Sequence, residues 1–267
     1  MNSFFFIPAN KINNLEKIKN LNPENIIIDF EDSIKKSQQL KYFEEFIQIK
    51  NNKDYYVRVP IDKENLLLKK MVEINHEKIM LPKIESYKHF KNIFSLIDNK
   101  KIKLIILIEN VTFLAELEKT LKKYKKNVEF VALGSHDFVK ELGAKHTLQN
   151  IEYPRQKMLY AAQMFSVNAI DIASMELNDN TAFNNEVQDG FDKGYRYKFI
   201  IHPWQLTQLK SIVFYNEEEV NWAKTVIKEV NRVGGKEEFN AIKINNQIIE
   251  KPHIKKAYQI LKANETK

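Results

Sequence analysis

Two acidic side chains, each placed after an apolar run, are the strongest candidates for chemistry in this sequence. Glu109 ends the run "KLIILIE" (103–109), and Asp137 follows the run "EFVALG" (129–134). The chain has no cysteine, so no thiolate can share a metal with these carboxylates. Two carboxylates that leave the remaining positions to water and substrate oxygens suit Mg²⁺, a hard cation. The sequence therefore predicts a Mg²⁺ site at Glu109 and Asp137.

Arg58 is the candidate for binding an anionic substrate. It lies near the end of the run "DYYVRV" (54–59), in a chain whose other cations are mostly lysines. A guanidinium holds a carboxylate through two parallel hydrogen bonds, which an ammonium cannot reproduce. A Mg²⁺ ion beside it would bind a 2-oxo acid through its keto and carboxylate oxygens. The metal would then stabilise the oxyanion as a carbon–carbon bond forms or breaks.

Three more acids end the run "NIIIDF" (25–30) and follow it: Asp29, Glu31 and Asp32. They are candidates to orient metal-bound water or to relay a proton, and Asp32 is the one that we expect to be catalytic. A helix cap after the strand is an equally good interpretation of Asp32.

Eight short apolar runs, separated by segments of helical periodicity, are the elements that must position these residues. They are "SFFFIP", "NIIIDF", "DYYVRV", "KIMLPK", "KLIILIE", "EFVALG", "NAIDIAS" and "KFIIHP". Alternating strands and helices predict a parallel sheet, and continuous apolar runs predict strands buried on both faces. Eight such units favour a closed (β/α)₈ (TIM) barrel over residues 1–213. An open doubly wound sheet is the alternative, but no glycine-rich phosphate loop follows any run.

The carboxyl ends of barrel strands converge on one mouth, where active sites lie. Seven of the eight runs end in or are followed by polar residues: Asn10 and Lys11, Asp29 to Asp32, Arg58, Lys83 and Glu85, Glu109, Ser135 to Asp137, and His202. The barrel therefore explains why the apolar run 104–108 stops on a carboxylate, with no glycine or proline to make a turn.

Residues 214–267 follow a different pattern. Asn216 is placed to cap an amphipathic helix that ends at Gly234-Gly235, and a small hairpin is predicted around Asn245-Asn246. A last helix begins near Pro252. We expect this helical and hairpin extension to serve as a lid or as a subunit interface.

Composition excludes several classes of protein. The net charge of +7 comes mainly from lysines scattered along helical segments, which is typical of a solvated surface and not of a nucleic-acid site. No run approaches the roughly 18 apolar residues of a membrane span, and the first residues, "MNSFFFIPAN", lack the features of a leader peptide. The sequence predicts a cytoplasmic protein without nucleic-acid or membrane partners.

The motifs, in order along the whole chain, resemble the citrate lyase β-subunit-like branch of the HpcH/HpaI aldolase superfamily. That branch includes citryl-CoA, malyl-CoA and citramalyl-CoA lyases. "FFFIPANKINNLEK" is similar to its "LFVPGNRPDRLEK"-like opening, "IIIDFEDSI" to "ILDLEDAV", "YYVRVP" to "VRVN" and "IMLPKIES" to "LPKVES". "IEN" stands at its metal glutamate, "ALGSHDFVKELG" at "GxEDLxxDLG", "FIIHPWQL" at "IHPxQ", and "NNQIIEKPHIKKAYQIL" at its closing "DGKMIDRPxxxRAxxIL".

The resemblance implies roles for individual residues. Glu109 and Asp137 would bind Mg²⁺, and Arg58 would hold the carboxylate of the oxo-acid product. The nucleotide end of CoA would lie at Phe6, Lys11 and Lys17, and the acyl group near His202. For Lys17 an ordinary surface lysine, and for His202 a strand cap, are the alternatives. Glu250 takes the place of an aspartate that reaches a neighbouring subunit's active site as an acid or base.

Three departures from the family pattern bear on catalysis. "IENVTFL" lacks the arginine of the usual "ETARG"-like run, and His136 replaces the glutamate before the metal aspartate. Glu250 is one methylene longer than aspartate, and a misplacement of about 1 Å can cost on the order of 10²-fold in rate. These changes keep the metal and the carboxylate clamp but alter the surroundings of the proton transfer.

The leading hypothesis is a Mg²⁺-dependent carbon–carbon lyase. Its substrate would be a 3-hydroxy-3-carboxyacyl thioester of CoA or an acyl-carrier protein, and its products a 2-oxo acid and an acyl thioester. One alternative is an aldolase on a free 2-oxo acid without CoA, and another is a catalytically altered barrel that binds an acyl carrier or another subunit. The resemblance also implies a homo-oligomer, a trimer or a hexamer.

Overall fold

Eight parallel strands close into a barrel in the computed structural model, which describes residues 1–97, 101–234, 241–244 and 247–265. The strands are β1 (Asn2–Pro8), β2 (Asn25–Asp29), β3 (Tyr56–Arg58), β4 (Lys78–Leu81), β5 (Lys103–Ile108), β6 (Val128–Leu133), β7 (Asn168–Asp171) and β8 (Tyr197–Ile200). Each strand pairs with the next, and β1 pairs with β8. The predicted (β/α)₈ barrel is therefore confirmed, and the open sheet is excluded.

Helices connect consecutive strands and cover the barrel. They are α1 (Leu15–Lys19), α2 (Gln39–Ile47), α3 (Leu66–Glu73), α4 (Tyr87–Phe94), α5 (Val111–Tyr124), α6 (Ser135–Leu142), α7 (Leu148–Phe165), α8 (Asn180–Lys193) and α9 (Pro203–Ser211). Two of them, α6 and α7, lie between β6 and β7, which accounts for the longer interval before the seventh apolar run. Shorter 3₁₀ turns occupy Ala9–Asn14, Lys36–Gln38 and Asn52–Asp54.

Alternate residues of the strands fill the barrel with apolar side chains, so the barrel is a packed core and not a pore. The ring of Phe4 lies 4.8 Å from that of Phe130 and 5.7 Å from that of Tyr56, between centroids. The cluster also contains Ile27, Met80, Ile105, Leu107, Ala132, Ile170 and Phe199. The register of the paired strands also sets which residues are neighbours at the strand ends. At the ends of β2 and β3, Asp29 lies beside Arg58.

The chain divides into two compact units, Met1–Ser211 and Ile212–Lys267. The second unit contains α10 (Glu217–Arg232), β9 (Ile242–Ile244), β10 (Gln247–Ile249) and α11 (Lys251–Glu265). Asn216 caps α10 as predicted, in a capping box with Glu219. The strands β9 and β10 pair antiparallel, while the predicted turn residues Asn245 and Asn246, and Gly235, lie outside the described residues.

The core of this second unit is apolar and continuous. It is formed by Val220, Ala223, Val226, Val230, Ile244, Ile249, Ile254, Ala257 and Ile260. Across the described part of the whole chain, no helix has the length and apolarity needed to cross a membrane.

Candidate active site

A cavity of about 280 Å³ opens at the carboxyl ends of the barrel strands. Every strand, or the loop after it, supplies at least one wall residue: Phe6, Pro8, Asp29, Arg58, Met80, Leu107, Glu109, Leu133, Gly134, Ser135, His136, Asp137, Ala173, Met175, Phe199 and Ile201. Most of this wall is apolar, and the charged residues belong to β2, β3, β5 and the segment after β6. The structure thus brings Arg58, Glu109, Asp137 and Phe6 to one cavity.

Glu109 lies buried in the wall of this cavity, directly after β5. One carboxylate oxygen accepts a hydrogen bond from the backbone N–H of Lys83. On the other side, a Cβ atom at Gly134 would lie only 2.5 Å from Cγ of Glu109, so the side chain occupies space that only glycine leaves free. Burial, together with the charges of Glu31 and Asp137, raises the pKa of Glu109 to about 7.

Arg58 is held by two buried acids of the β2 end. Its Nε and one terminal nitrogen donate to the two carboxylate oxygens of Asp29 at 2.6 and 2.7 Å. Its other terminal nitrogen lies 3.1 Å from Glu31. Burial opposes the charge of Arg58, but the bonds to Asp29 and the charges of both acids outweigh it and raise the arginine pKa. A substrate carboxylate at Arg58 would therefore share the guanidinium with Asp29.

Lys83 links the same acids to the strand end of β4. Its backbone lies in the left-handed region, with φ of 52°, a conformation that costs a non-glycine residue about 1 kcal/mol or more. Its Nζ contacts Glu31 and lies 2.8 Å from Asp32. Burial would raise the pKa of Asp32, but the bond and charge of Lys83 outweigh it and lower the pKa. Asp32 caps no helix, because the next helical segment begins at Lys36, so that interpretation is wrong.

Asp137 lies at the third position of α6, on the exposed rim of the cavity. The preceding residue, His136, stacks face to face on His146, with 3.8 Å between ring centroids and 4° between planes. Nε2 of His146 lies 2.9 Å from the hydroxyl of Ser135, whose side chain is buried. Burial and the neighbouring His136 lower the pKa of His146.

Asp32 and four other residues predicted from the sequence lie outside the cavity wall. Lys11 and Lys17 are exposed, in the 3₁₀ turn after β1 and in α1 respectively. His202 is exposed after β8, and its Nδ1 accepts a hydrogen bond from the backbone N–H of Trp204 in the first turn of α9. It therefore caps a helix, whereas the alternative predicted for it was a cap on the strand. Glu250 is exposed in the second unit, where its backbone N–H donates to Nδ1 of His253.

A buried ionic network beside the barrel was not predicted from the sequence. Arg155 of α7 donates to both carboxylate oxygens of Asp171 at 2.8 Å and to Asp189 at 2.6 Å. Lys198 of β8 donates to Glu186 and to the Ile172 carbonyl, each at 2.7 Å. Only the rarity of arginine in this chain could have singled out Arg155, since no motif surrounds it.

The donor set at the mouth suits a hard cation held by few protein ligands. Five carboxylates lie here (Asp29, Glu31, Asp32, Glu109 and Asp137) against two cations, Arg58 and Lys83. Burial and the charges of Glu31 and Asp137 raise the pKa of Glu109, and a divalent cation would neutralise the excess of negative charge. Among the described residues no three His, Asp or Glu side chains form a complete metal cage. Mg²⁺ needs none, since it keeps water and substrate oxygens as ligands.

The comparisons with known proteins agree with this fold. Residues 2–203 match the HpcH/HpaI aldolase/citrate lyase family. The chain belongs to this family. Mitochondrial citramalyl-CoA lyase of Mus musculus is 25% identical over 286 residues, which cover 96% of this chain and 83% of that protein. Citrate lyase subunit beta of Escherichia coli (strain K12) is 25% identical over 133 residues, 49% of this chain and 44% of that protein.

Solved structures show the same fold. CitE from Mycobacterium tuberculosis, in complex with magnesium, acetoacetate and coenzyme A, superposes with a TM-score of 0.83 at 18% identity, over 98% of this chain and 97% of that one. RipC from Yersinia pestis superposes with a TM-score of 0.68 at 22% identity, over 82% and 98%. The family predicted from the motifs is confirmed, and the curated relatives are lyases, the predicted enzyme class.

Proposed function

We propose that this protein is a Mg²⁺-dependent carbon–carbon lyase that cleaves a 3-hydroxy-3-carboxyacyl thioester into a 2-oxo acid and an acyl thioester. The observation that carries the proposal is the convergence of Glu109, Asp137 and Arg58 on one cavity with an excess of carboxylates. The names of the relatives support the thioester, since they include citramalyl-CoA lyase. The magnesium and coenzyme A bound by the CitE structure support the cofactor and the carrier.

Glu109 and Asp137 would hold the metal, which would supply positive charge to the 3-hydroxyl oxygen as that oxygen loses its proton. Arg58, shared with Asp29, would orient the carboxylate of the oxo-acid half. The apolar wall, which includes Phe6, would exclude water from the enolate.

Cleavage needs one proton acceptor and one proton donor. The 3-hydroxyl loses its proton, its oxygen becomes the keto oxygen, the adjacent carbon–carbon bond breaks, and the thioester enolate takes a proton at carbon. We propose Asp32 and Glu250 for these transfers, with Glu250 serving a neighbouring copy in a homo-oligomer. Phe6, Lys11 and Lys17 are proposed for the nucleotide end of CoA, and His202 for the acyl group. Competition by CoA separates this enzyme from an aldolase on a free oxo acid.

Calorimetric titration of oxaloacetate and glyoxylate, with and without Mg²⁺, tests the proposal. We expect binding that requires Mg²⁺ and that is lost in Glu109→Gln. This substitution removes the negative charge of a proposed metal ligand and nearly preserves the shape of the side chain. Glu118→Gln, on the exposed side of α5, is the matched control and should bind like the wild type. Equal binding by Glu109→Gln, or binding that ignores Mg²⁺, would overturn the metal assignment.

A further inference from the structure

Lys83 contacts both the proposed metal ligand and the acids around Arg58. Its backbone N–H donates to the carboxylate of Glu109, and its φ of 52° lies in the left-handed region. Its Nζ contacts Glu31 and lies 2.8 Å from Asp32. A non-glycine residue keeps such a backbone conformation only where the surrounding contacts hold it, and such residues cluster at functional sites.

The segment that carries Lys83 is held by the residue that follows Glu109. The side chain of Asn110 donates to the carbonyl of Ile84 at 2.7 Å and accepts the backbone N–H of Phe113 in the first turn of α5. Ile84 is itself fully buried. Two hydrogen bonds, one donated from each side, therefore join the ends of β4 and β5. The ammonium of Lys83 extends toward the acids from a fixed backbone position.

Glu31 lies between two cations and is almost inaccessible to solvent. Its side chain is 4% exposed, one oxygen lies 3.1 Å from a terminal nitrogen of Arg58, and the other oxygen contacts Nζ of Lys83. Burial raises the pKa of Glu31, while the charge of Arg58 and the bond to Lys83 oppose that rise. A buried carboxylate needs a counter-charge, so the loss of one cation would draw Glu31 toward the other.

Arg58 has one terminal nitrogen that Asp29 does not hold. Its Nε and its other terminal nitrogen bond to Asp29 at 2.6 and 2.7 Å, whereas this nitrogen lies 3.1 Å from Glu31, the longest of the three contacts. Arg58 is part of the cavity wall, and Lys83 contacts Glu31 from outside that wall. A substrate carboxylate that reaches this nitrogen must therefore compete with Glu31.

We propose that Lys83 is a positioning residue that keeps Arg58 available to the carboxylate of a 2-oxo acid. Its ammonium holds one oxygen of Glu31 and so limits the competition of that acid for the guanidinium. The proposal rests on the proposed function for the identity of the ligand. The backbone of Lys83 has a separate task, since its N–H orients Glu109 whatever the side chain carries.

Lys83→Met removes the charge and nearly keeps the length of the side chain. We expect the affinity for oxaloacetate, measured by calorimetry with saturating Mg²⁺, to fall on the order of tenfold, the scale of one hydrogen bond between charged groups. Lys103→Met is the matched control and should bind like the wild type. Lys103 is as exposed as Lys83 (52% against 48%) and lies 3.7 Å from an acid, Glu129, at the opposite end of β5. Wild-type affinity in Lys83→Met would overturn the proposal.

Second substitutions in the Lys83→Met protein show whether Lys83 acts through Glu31. If it does, Glu31→Gln should restore the affinity for oxaloacetate although the lysine is still absent. Asp32→Asn restores the same net charge but leaves Glu31 charged, so it should not restore the affinity. Failure of Glu31→Gln to restore binding would mean that the ammonium contacts the oxo acid itself. Equal restoration by both substitutions would mean that only net charge matters, and either result overturns the positioning role.

Lys83→Cys allows the charge to be put back in a single protein. The chain has no cysteine, so this thiol is the only one that can be alkylated. Treatment with 2-bromoethylamine gives a side chain with an ammonium at the length of lysine, and iodoacetamide gives a neutral amide of similar length. Only the first product should recover the wild-type affinity. Equal recovery by the neutral product would overturn the role of the charge.

Crystal structures of the wild type and of Lys83→Met, both without ligand, separate a failure of this proposal from a failure of the lyase. We expect the distance between Arg58 and Glu31 to shorten in the variant from 3.1 Å to roughly 2.8 Å. An unchanged distance overturns the positioning role, whatever the calorimetry shows. A shortened distance in a protein whose wild type binds no oxo acid with Mg²⁺ would overturn the lyase and leave the control of Arg58 by Lys83 standing.

Discussion

At the scale of single residues, Gly134 controls the placement of the proposed metal ligand Glu109. We expect Gly134→Ala to abolish Mg²⁺-dependent binding of oxaloacetate, because the new Cβ would lie 2.5 Å from Cγ and 3.0 Å from Oε1 of Glu109. Glu109 is itself buried, so its side chain has little space in which to move away from the new Cβ. Calorimetry with and without Mg²⁺ measures the effect.

Gly143 provides the matched control for that substitution. Its φ is +65°, but nothing lies within 4 Å of a Cβ built there. Gly143→Ala should therefore lower the free energy of unfolding by about 1 kcal/mol through backbone strain and leave binding unchanged. Wild-type binding by Gly134→Ala would show that Glu109 does not need its present position.

Arg58→Lys separates the geometry of the carboxylate clamp from its charge. Lysine keeps the positive charge beside Asp29 and Glu31 but loses the two parallel bonds that Arg58 makes to Asp29. We expect the affinity for oxaloacetate to fall by roughly tenfold or more, since a bidentate contact is not replaced by a point charge. Arg232→Lys, at an exposed pair with Glu229, should change neither affinity nor fold. If Arg58→Lys bound oxaloacetate as tightly as the wild type, the guanidinium of Arg58 would bind Asp29 and not the substrate carboxylate.

At the scale of elements, the ionic network fastens α7 to β7 and α8. Arg155 and Asp171 are both fully buried, and a Cβ at Gly190 would lie 2.2 Å from Asp171 Oδ2, so α8 also packs directly on the pair. Asp171→Ala should lower the free energy of unfolding by roughly 3–5 kcal/mol, because it leaves a buried arginine without its main counter-charge. Urea unfolding measures this loss.

An exposed pair shows what burial adds to that ion pair. Lys41 and Glu45 lie on the solvent side of α2, 3.8 Å apart, with most of the lysine side chain exposed. Lys41→Ala should have a small effect, within about 1 kcal/mol, since exposed pairs are screened by water and salt. If both variants lost the same stability, the network would contribute no more than surface charge.

The strands could be predicted from sequence, while several connections between them could not. Continuous apolar runs predict all eight strands because strands covered on both faces must be apolar throughout. The two helices α6 and α7 between β6 and β7 escaped prediction as separate elements. Pro154 lies within α7, where local rules disfavour it, and tertiary packing of the buried Pro154 and Arg155 overrides them.

At the scale of the whole molecule, closure of the barrel brings residues that are far apart in the sequence together at one site. The rule that strand ends converge was enough to predict that Glu109, Arg58 and Asp137 lie near one another. That rule could not predict that the guanidinium of Arg58 donates hydrogen bonds to Asp29. This contact follows from the register of β2 against β3. The rule also could not place His146 against Ser135, since the loop after α6 carries no pattern of its own.

The two compact units allow binding and turnover to be separated. The barrel completes its strand pairing within Met1–Ser211, which also contains Arg58, Glu109 and Asp137, so a chain ended after Ser211 should fold cooperatively and bind oxaloacetate with Mg²⁺. It should lack lyase turnover, because the proposed proton-transfer residue Glu250 is absent. The remaining 56 residues (267 − 211) form a small core that is expected to be marginal alone.

Circular dichroism, urea unfolding and calorimetry on the shortened chain, beside full-length protein and the full-length variant Glu250→Gln, test this division. Glu250→Gln should match the shortened chain in binding without turnover. Turnover by the shortened chain would remove Glu250 from the mechanism, because no other acid of the second unit would remain to take its place. Loss of binding as well as turnover in a folded barrel would instead show that the second unit contributes to substrate binding, a role that the geometry of the first unit alone does not require.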